Sequence, residues 1–211
     1  MKKLLLCAML LICSMFQLSV FAQNYHEDDK EGLRQFLRQQ SSGSVYDRYN
    51  FEAAGLSASD TLRWYESEDW LQELAGPPHN RIDIYYDDAL PRRIISLRVT
   101  SRFSGKLDCR RFNNLKELEL LGASYLPSTV EVDLSQNLSL EDLRFYFAHL
   151  VKLDLPSNPN LTKLHLAGSS LKELDLSGCV NLKELRLENN DCLENLNVSN
   201  NIRVCLNFIQ Q

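Results

Sequence analysis

The chain has 211 residues, 23 of them basic and 28 acidic, for a net charge of −5, and 44% of its residues are hydrophobic. An acidic surface is a poor match for nucleic acid or an anionic membrane, and the length provides for one domain with a sizeable core. None of the six cysteines and four histidines falls in a C-x-x-C or His/Cys zinc spacing, so no metal or cofactor is expected.

Residues 1–22 are expected to be a secretory leader: Lys2 and Lys3 give a basic start, Leu4 to Phe21 is mostly apolar, and Val20-Phe21-Ala22 sets small residues at the −3 and −1 cleavage positions. Ser14, Gln17 and Ser19 interrupt the apolar run and no stop-transfer charges follow, which argues against membrane insertion. Cleavage near Ala22 implies a secreted or periplasmic, cell-envelope location and leaves a net charge of −7, since the leader carries two lysines and no acid.

Residues 23–92 are expected to form a helical N-terminal cap. Asp28 or Asp29 caps a first helix with Leu33, Phe36 and Leu37 at i, i+3, i+4. A second helix runs from about Ser59-Asp60 to Leu74 and stops at Gly76-Pro77-Pro78. Arg81-Ile-Asp-Ile-Tyr-Tyr alternates like a short strand, and Asp87 to Pro91 reads as a turn.

Residues 93–211 are a repeat. L-x-x-L-x-L recurs every 10 or 11 residues, as in Leu115-Lys-Glu-Leu118-Glu-Leu120 and Leu171-Lys-Glu-Leu174-Asp-Leu176. Alternate units form two interleaved families. One has its L-x-L at Leu97/Val99, Leu118/Leu120, Leu143/Phe145, Leu164/Leu166, Leu185/Leu187 and Leu206/Phe208; the other at Leu107/Cys109, Val132/Leu134, Leu153/Leu155, Leu174/Leu176 and Leu196/Val198. Within a family the step is 21 or 22 residues, with one step of 25 across Gly122–Thr129, a loop expected to bulge and to carry Tyr125. A period near 20 predicts a β solenoid of about five coils, with two strands per turn in two parallel sheets enclosing a narrow apolar interior. Its final strand, with Val204, Leu206, Phe208 and Ile209, has no visible cap, so a homodimer or partner is expected to cover that C-terminal edge.

Between the inward leucines one outward residue per strand forms a row. In the first family the row is Arg98, Glu119, Arg144, His165, Arg186 and Asn207, flanked by Tyr146, Lys163, Glu184 and Glu188. Its varied chemistry fits recognition of a carboxylate, a glycan or an acidic loop, and equally a solvated strand face of alternating charge. The candidate ligand-binding residues are Arg98, Glu119, Arg144, Tyr146, His165 and Arg186. In the second family the row is Asp108, Asp133, Asp154, Asp175 and Asn197; turn capping is the preferred reading over a cation site, because calcium needs six to eight oxygens converging on a point.

Of the cysteines outside the leader, Cys109 falls on an inward position and Cys179 on a turn position that is Asn in sister repeats. Free buried thiols are expected, with Cys192–Cys205 the least strained pair if a bridge forms. His26, His79, His149 and His165 lie in no nucleophile or metal motif, and there is no Gly-rich phosphate loop or G-x-S-x-G, so no catalytic role is expected and a hydrolase is the remote alternative.

The alternating Leu-Asp-Leu-Ser-x-Asn and Leu-x-x-Leu-x-Leu units resemble the nested, IRREKO-type leucine-rich repeats of bacterial envelope proteins. Glu31-Gly-Leu-Arg-Gln-Phe-Leu, Gly55-Leu56, Asp60-x-Leu62-x-Trp64 and Trp70-Leu71 are similar to the N-terminal cap that precedes such repeats, as is Arg92-Arg-Ile-Ile-Ser-Leu97 followed by Ser104-Gly-Lys-Leu107-Asp. The chain departs from that pattern in the loop Gly122–Thr129 and around Pro77-Pro78, where a tryptophan is missing. The resemblance implies a right-handed leucine-rich repeat coil. It also implies a non-catalytic extracytoplasmic module that binds a protein or glycan, with structural assembly as the alternative.

Overall fold

A computed structural model describes residues 25–39, 82–100, 105–122, 129–155 and 157–201, and the backbone of 205–209. The expected leader, the second helix and Tyr125 lie outside these residues. The described chain is mostly β, a solenoid of about four turns with parallel sheets and one short helix. The elements are α1 (Glu27–Leu37), β1 (Ile82–Tyr86), β2 (Ile94–Thr100), β3 (Gly105–Asp108), β4 (Glu117–Leu121), β5 (Val130–Asp133), β6 (Asp142–Tyr146), β7 (Leu150–Asp154), β8 (Lys163–Ala167), β9 (Glu173–Asp175), β10 (Glu184–Glu188), β11 (Asn195–Asn197) and β12 (Cys205–Ile209).

The first repeat family builds one seven-stranded sheet in the order β1-β2-β4-β6-β8-β10-β12. Its register is the one the leucines set: Leu97, Leu118, Leu143, Leu164, Leu185 and Leu206 are paired strand to strand. Side chains alternate across a strand, so this register stacks the apolar set inward; Leu97, Leu118, Leu143, Leu164 and Leu185 are all buried. Each such burial contributes roughly 1.5–3 kcal/mol, and a one-residue slip would expose the whole set. Leu115, Leu140, Leu161 and Leu182, the first leucine of each motif, close the interior from the turns.

The second family does not form one continuous wall. β3-β5-β7 is a three-stranded sheet, and β9 pairs only with β11. The break falls between β7 and β9. In the sister coils the N–H two residues after the Asp or Asn folds back on its side chain, as from Ser135 to Asp133 (3.2 Å), Ser177 to Asp175 (2.8 Å) and Ser199 to Asn197 (3.1 Å). Asp154 accepts from Lys152 Nζ at 2.8 Å, and the residue two positions after it in the sequence is a proline, which has no N–H to donate.

The turn column Phe112, Asn137, Asn158, Cys179 and Asn201, buried except at the half-buried Asn201, locks successive coils together. Asn137 Nδ2 donates to the carbonyls of Cys109 and Phe112 at 2.9 and 2.8 Å, Asn158 to that of Asn137, and Asn201 to that of Cys179. Each of these carbonyls also accepts a turn N–H, from Phe112, Leu115, Leu140 and Leu182 respectively, so the amides are second donors that tie one coil to the next. Cys109 and Cys179 are buried free thiols, both pushed up by burial; Cys192, also expected to be buried, is exposed, because it lies in the turn beyond β10.

Helix α1 lies over the N-terminal end, with Leu33, Phe36 and Leu37 buried. Gly32 permits the close approach: a Cβ there would sit 2.6 Å from the Phe112 ring. The cap residue is His26, whose Nδ1 accepts the Asp28 N–H at 3.2 Å, rather than Asp28 or Asp29. Asp29 is drawn away from the capping role because its buried carboxylate meets Ile94 N–H at 2.8 Å and Arg93 at 2.9 Å. β1 pairs antiparallel with β2, and so covers the edge that the first parallel strand would otherwise present.

Candidate functional site

The seven-stranded sheet carries three outward rows. Its middle row is Arg98, Glu119, Arg144, His165 and Arg186 on five consecutive strands, with Asp83 of β1 opposite Arg98 and the backbone of Asn207 in register with Arg186. The row on one side is Ser96, Glu117, Asp142, Lys163 and Glu184; on the other it includes Leu121, Tyr146, Ala167 and Glu188. All six residues expected to bind a ligand are thus on one face, Tyr146 one row from the other five.

The face is a network of ion pairs. Arg98 Nε lies 3.2 Å from Glu119, whose second oxygen is 3.7 Å from Arg144. Arg144 also holds Asp142 at 2.6 Å, and Lys163 approaches Asp142 at 3.8 Å. A polar hollow of about 180 Å³ opens here, lined by Tyr85, Ser96, Arg98, Glu117, Glu119 and Arg144. Further along, the Tyr146 hydroxyl is 3.2 Å from His165 Nδ1, His165 Nε2 is 3.2 Å from Glu184, and Glu184 binds Arg186 at 2.6 Å.

These contacts set the electrostatics. Burial opposes charge on Glu184, but His165 and Arg186 outweigh it and hold the carboxyl below the usual range. Burial also lowers Arg144, yet Asp142 and Glu119 raise it overall; burial raises the Tyr146 hydroxyl. Sign alternates within the row along Arg98–Glu119–Arg144, while beside Arg144, His165 and Arg186 the acids Asp142 and Glu184 stand in the neighbouring row.

On the other wall Asp108, Asp133 and Asp175 cap their own turns. Asp108 is held below the usual range by Arg110, which donates to it through Nε, Nη2 and the backbone N–H; Asp133 and Asp175 are also lowered, with Ser135 and Ser177 as the principal donors. Among the described residues no three His, Cys, Asp or Glu side chains are grouped to hold a metal, and no helix is long and apolar enough to cross a membrane.

Two features of the face escaped the sequence reading. Asp142 is buried under Arg144 and Lys163 although it directly precedes an inward leucine. Phe147, 42% exposed, follows Tyr146 at a strand exit with φ +51°, where the sister coils place Gly168 and Asn189. Aligning the coils two residues beyond the L-x-L would have flagged it, since Gly and Asn tolerate left-handed backbone and Phe does not. Comparison of the chain with protein-family models, with curated proteins and with solved structures returns no match.

Proposed function

We propose that this chain is an exported leucine-rich repeat protein of the nested type, a non-catalytic module that recognises a protein or glycan outside the cytoplasm through the outer face of its seven-stranded sheet. The observation that carries the reading is the single register row holding Arg98, Glu119, Arg144, His165 and Arg186, with Tyr146 beside it. A purely structural row repeats one residue type, as the aspartates do on the other wall; this one varies from strand to strand while its scaffold does not. Solenoids bind through such continuous faces. The backbone amides of β6, β8 and β10 are committed to neighbours on both sides, so recognition here belongs to side chains.

The test is capture of ligands from extracellular material by the immobilised chain, against an Arg144→Glu/Arg186→Glu variant. The expected result is lost capture with the oligomeric state unchanged in light scattering; undiminished capture by the variant overturns the reading. The second reading, self-association, rests on β12, which among the described residues pairs only with β10 and forms an outer strand of the sheet. That reading predicts that charging Phe208 or Ile209 changes the oligomeric state and leaves capture intact.

A further inference from the structure

We infer that this face takes up an arginine side chain of a partner protein in the polar hollow at its N-terminal end, the guanidinium lying between the Tyr85 ring and the Glu117 carboxylate. The inference rests on the reading of the sheet face given above and names the chemistry of its partner.

Tyr85, Ser96 and Glu117 stand abreast on β1, β2 and β4, and all three line the hollow. Directly paired residues share a face of the sheet, so the ring and the carboxylate flank the serine across two strand spacings, about 9.6 Å at the backbone. Serine is too short to fill that gap, and the hollow of about 180 Å³ opens over it. Glu117 leans across the gap: its Oε2 accepts the Ser96 hydroxyl at 3.2 Å, while Oε1 has no partner among the described residues. Tyr85 faces it from the other side, 61% exposed.

Charge decides the sign of the guest. The other ionised side chains around the hollow belong to one chain of alternating sign. It runs from Asp83 to Arg98 at 3.9 Å, Arg98 to Glu119 at 3.2 Å, Glu119 to Arg144 at 3.7 Å, Arg144 to Asp142 at 2.6 Å and Asp142 to Lys163 at 3.8 Å. Its acids and bases are equal in number, so Arg98 and Arg144 are already matched and do not repel a further cation strongly. Glu117 stands outside the chain, with no ion pair among the described residues, and is the charge left over. The protein's net charge of −5 steers a basic partner in the same direction.

Size decides what carries the cation. Small-molecule pockets run to roughly 300–1,000 Å³; this hollow is smaller and suits one inserted side chain, the way arginine anchors many protein interfaces. A guanidinium is planar, so its face can lie on the Tyr85 ring while its edge donates to the free Glu117 oxygen. A lysine ammonium has no such plane, and a neutral group leaves Glu117 unmatched.

The test is a titration read by backbone amide shifts in two-dimensional NMR, for wild type, Glu117→Gln and Tyr85→Ser. The probes are N-acetyl-argininamide, the citrulline analogue that keeps its shape without its charge, and the N-acetylated amide of glutamate. Both substitutions change exposed side chains, and the spectrum itself reports that each variant is folded. The arginine probe should shift the amides of Ser96 and Glu117 saturably, bind at least about fivefold tighter than citrulline, and lose at least about threefold of its affinity in each variant. No saturable shift, equal affinity for citrulline, or wild-type affinity in either variant overturns the inference. So does a response to the glutamate probe alone, which leaves the recognition face standing. Glu117 and Tyr85 are untouched in the Arg144→Glu/Arg186→Glu chain, and the broader reading falls only if that chain still captures its ligands.

Discussion

Asp29 Oδ2 accepts the backbone N–H of Ile94 at 2.8 Å, tying helix α1 to the first residue of β2 across 65 positions of sequence. The carboxyl is 1% exposed, and burial outweighs the Ile94 and Arg93 contacts, raising it from 3.8 to about 6. Between those values the folded chain keeps a proton that the unfolded chain has released. The stabilisation this gives is complete below the unfolded value and disappears as pH rises through about 6. Asp29→Asn cannot titrate there and keeps an oxygen for the Ile94 N–H. Urea unfolding of both chains should show wild type losing about 3 kcal/mol relative to the variant between acid and neutral pH. A difference independent of pH would contradict the buried-carboxyl account.

Phe147 and Gly168 form a second coupled pair. Gly168→Ala should cost about 2–3 kcal/mol, part from its own left-handed φ of +64° and part from the clash with the Phe147 ring. In a Phe147→Gly background the clash is gone, and the same change should cost about 1 kcal/mol. Equal costs in the two backgrounds, read by denaturant midpoints, would mean the ring does not rest on Gly168.

The asparagine column predicts a contrast between buried and exposed amides. Asn137→Ala removes the second donor from two buried carbonyls that keep their turn bonds from the Phe112 and Leu115 N–H groups, and should destabilise by about 2 kcal/mol. Asn160 makes one exposed bond to the Leu138 carbonyl, and Asn160→Ala should cost less than about 1 kcal/mol. Thermal unfolding of the two variants decides the point, and similar losses would contradict it.

The period of the leucines made the register of the seven-stranded sheet legible, because inward stacking admits only one alignment of Leu97, Leu118, Leu143, Leu164 and Leu185. The same logic put Arg98, Glu119, Arg144, His165 and Arg186 in one row. It failed where the determinant lies outside the L-x-L. The second wall is split between β7 and β9, and the cap passed to His26 because Asp29 is engaged by Ile94 and Arg93, partners more than sixty residues away. Side-chain pairing was also hidden: Asp142 is held by Arg144 of its own strand at 2.6 Å and met by Lys163 of the next at 3.8 Å.

Arginine footprinting addresses the binding face most directly. Arg144 and Arg186 lie on the proposed surface, while the equally accessible Arg110 lies beside the aspartates of the other wall, next to Asp108 and Asp133. With phenylglyoxal, and mass spectrometry to read each site, saturation by a captured ligand should slow modification of Arg144 and Arg186 several-fold while Arg110 reacts at its free rate. Protection of Arg110 with Arg144 and Arg186 unchanged would place the ligand on the opposite wall and contradict the account.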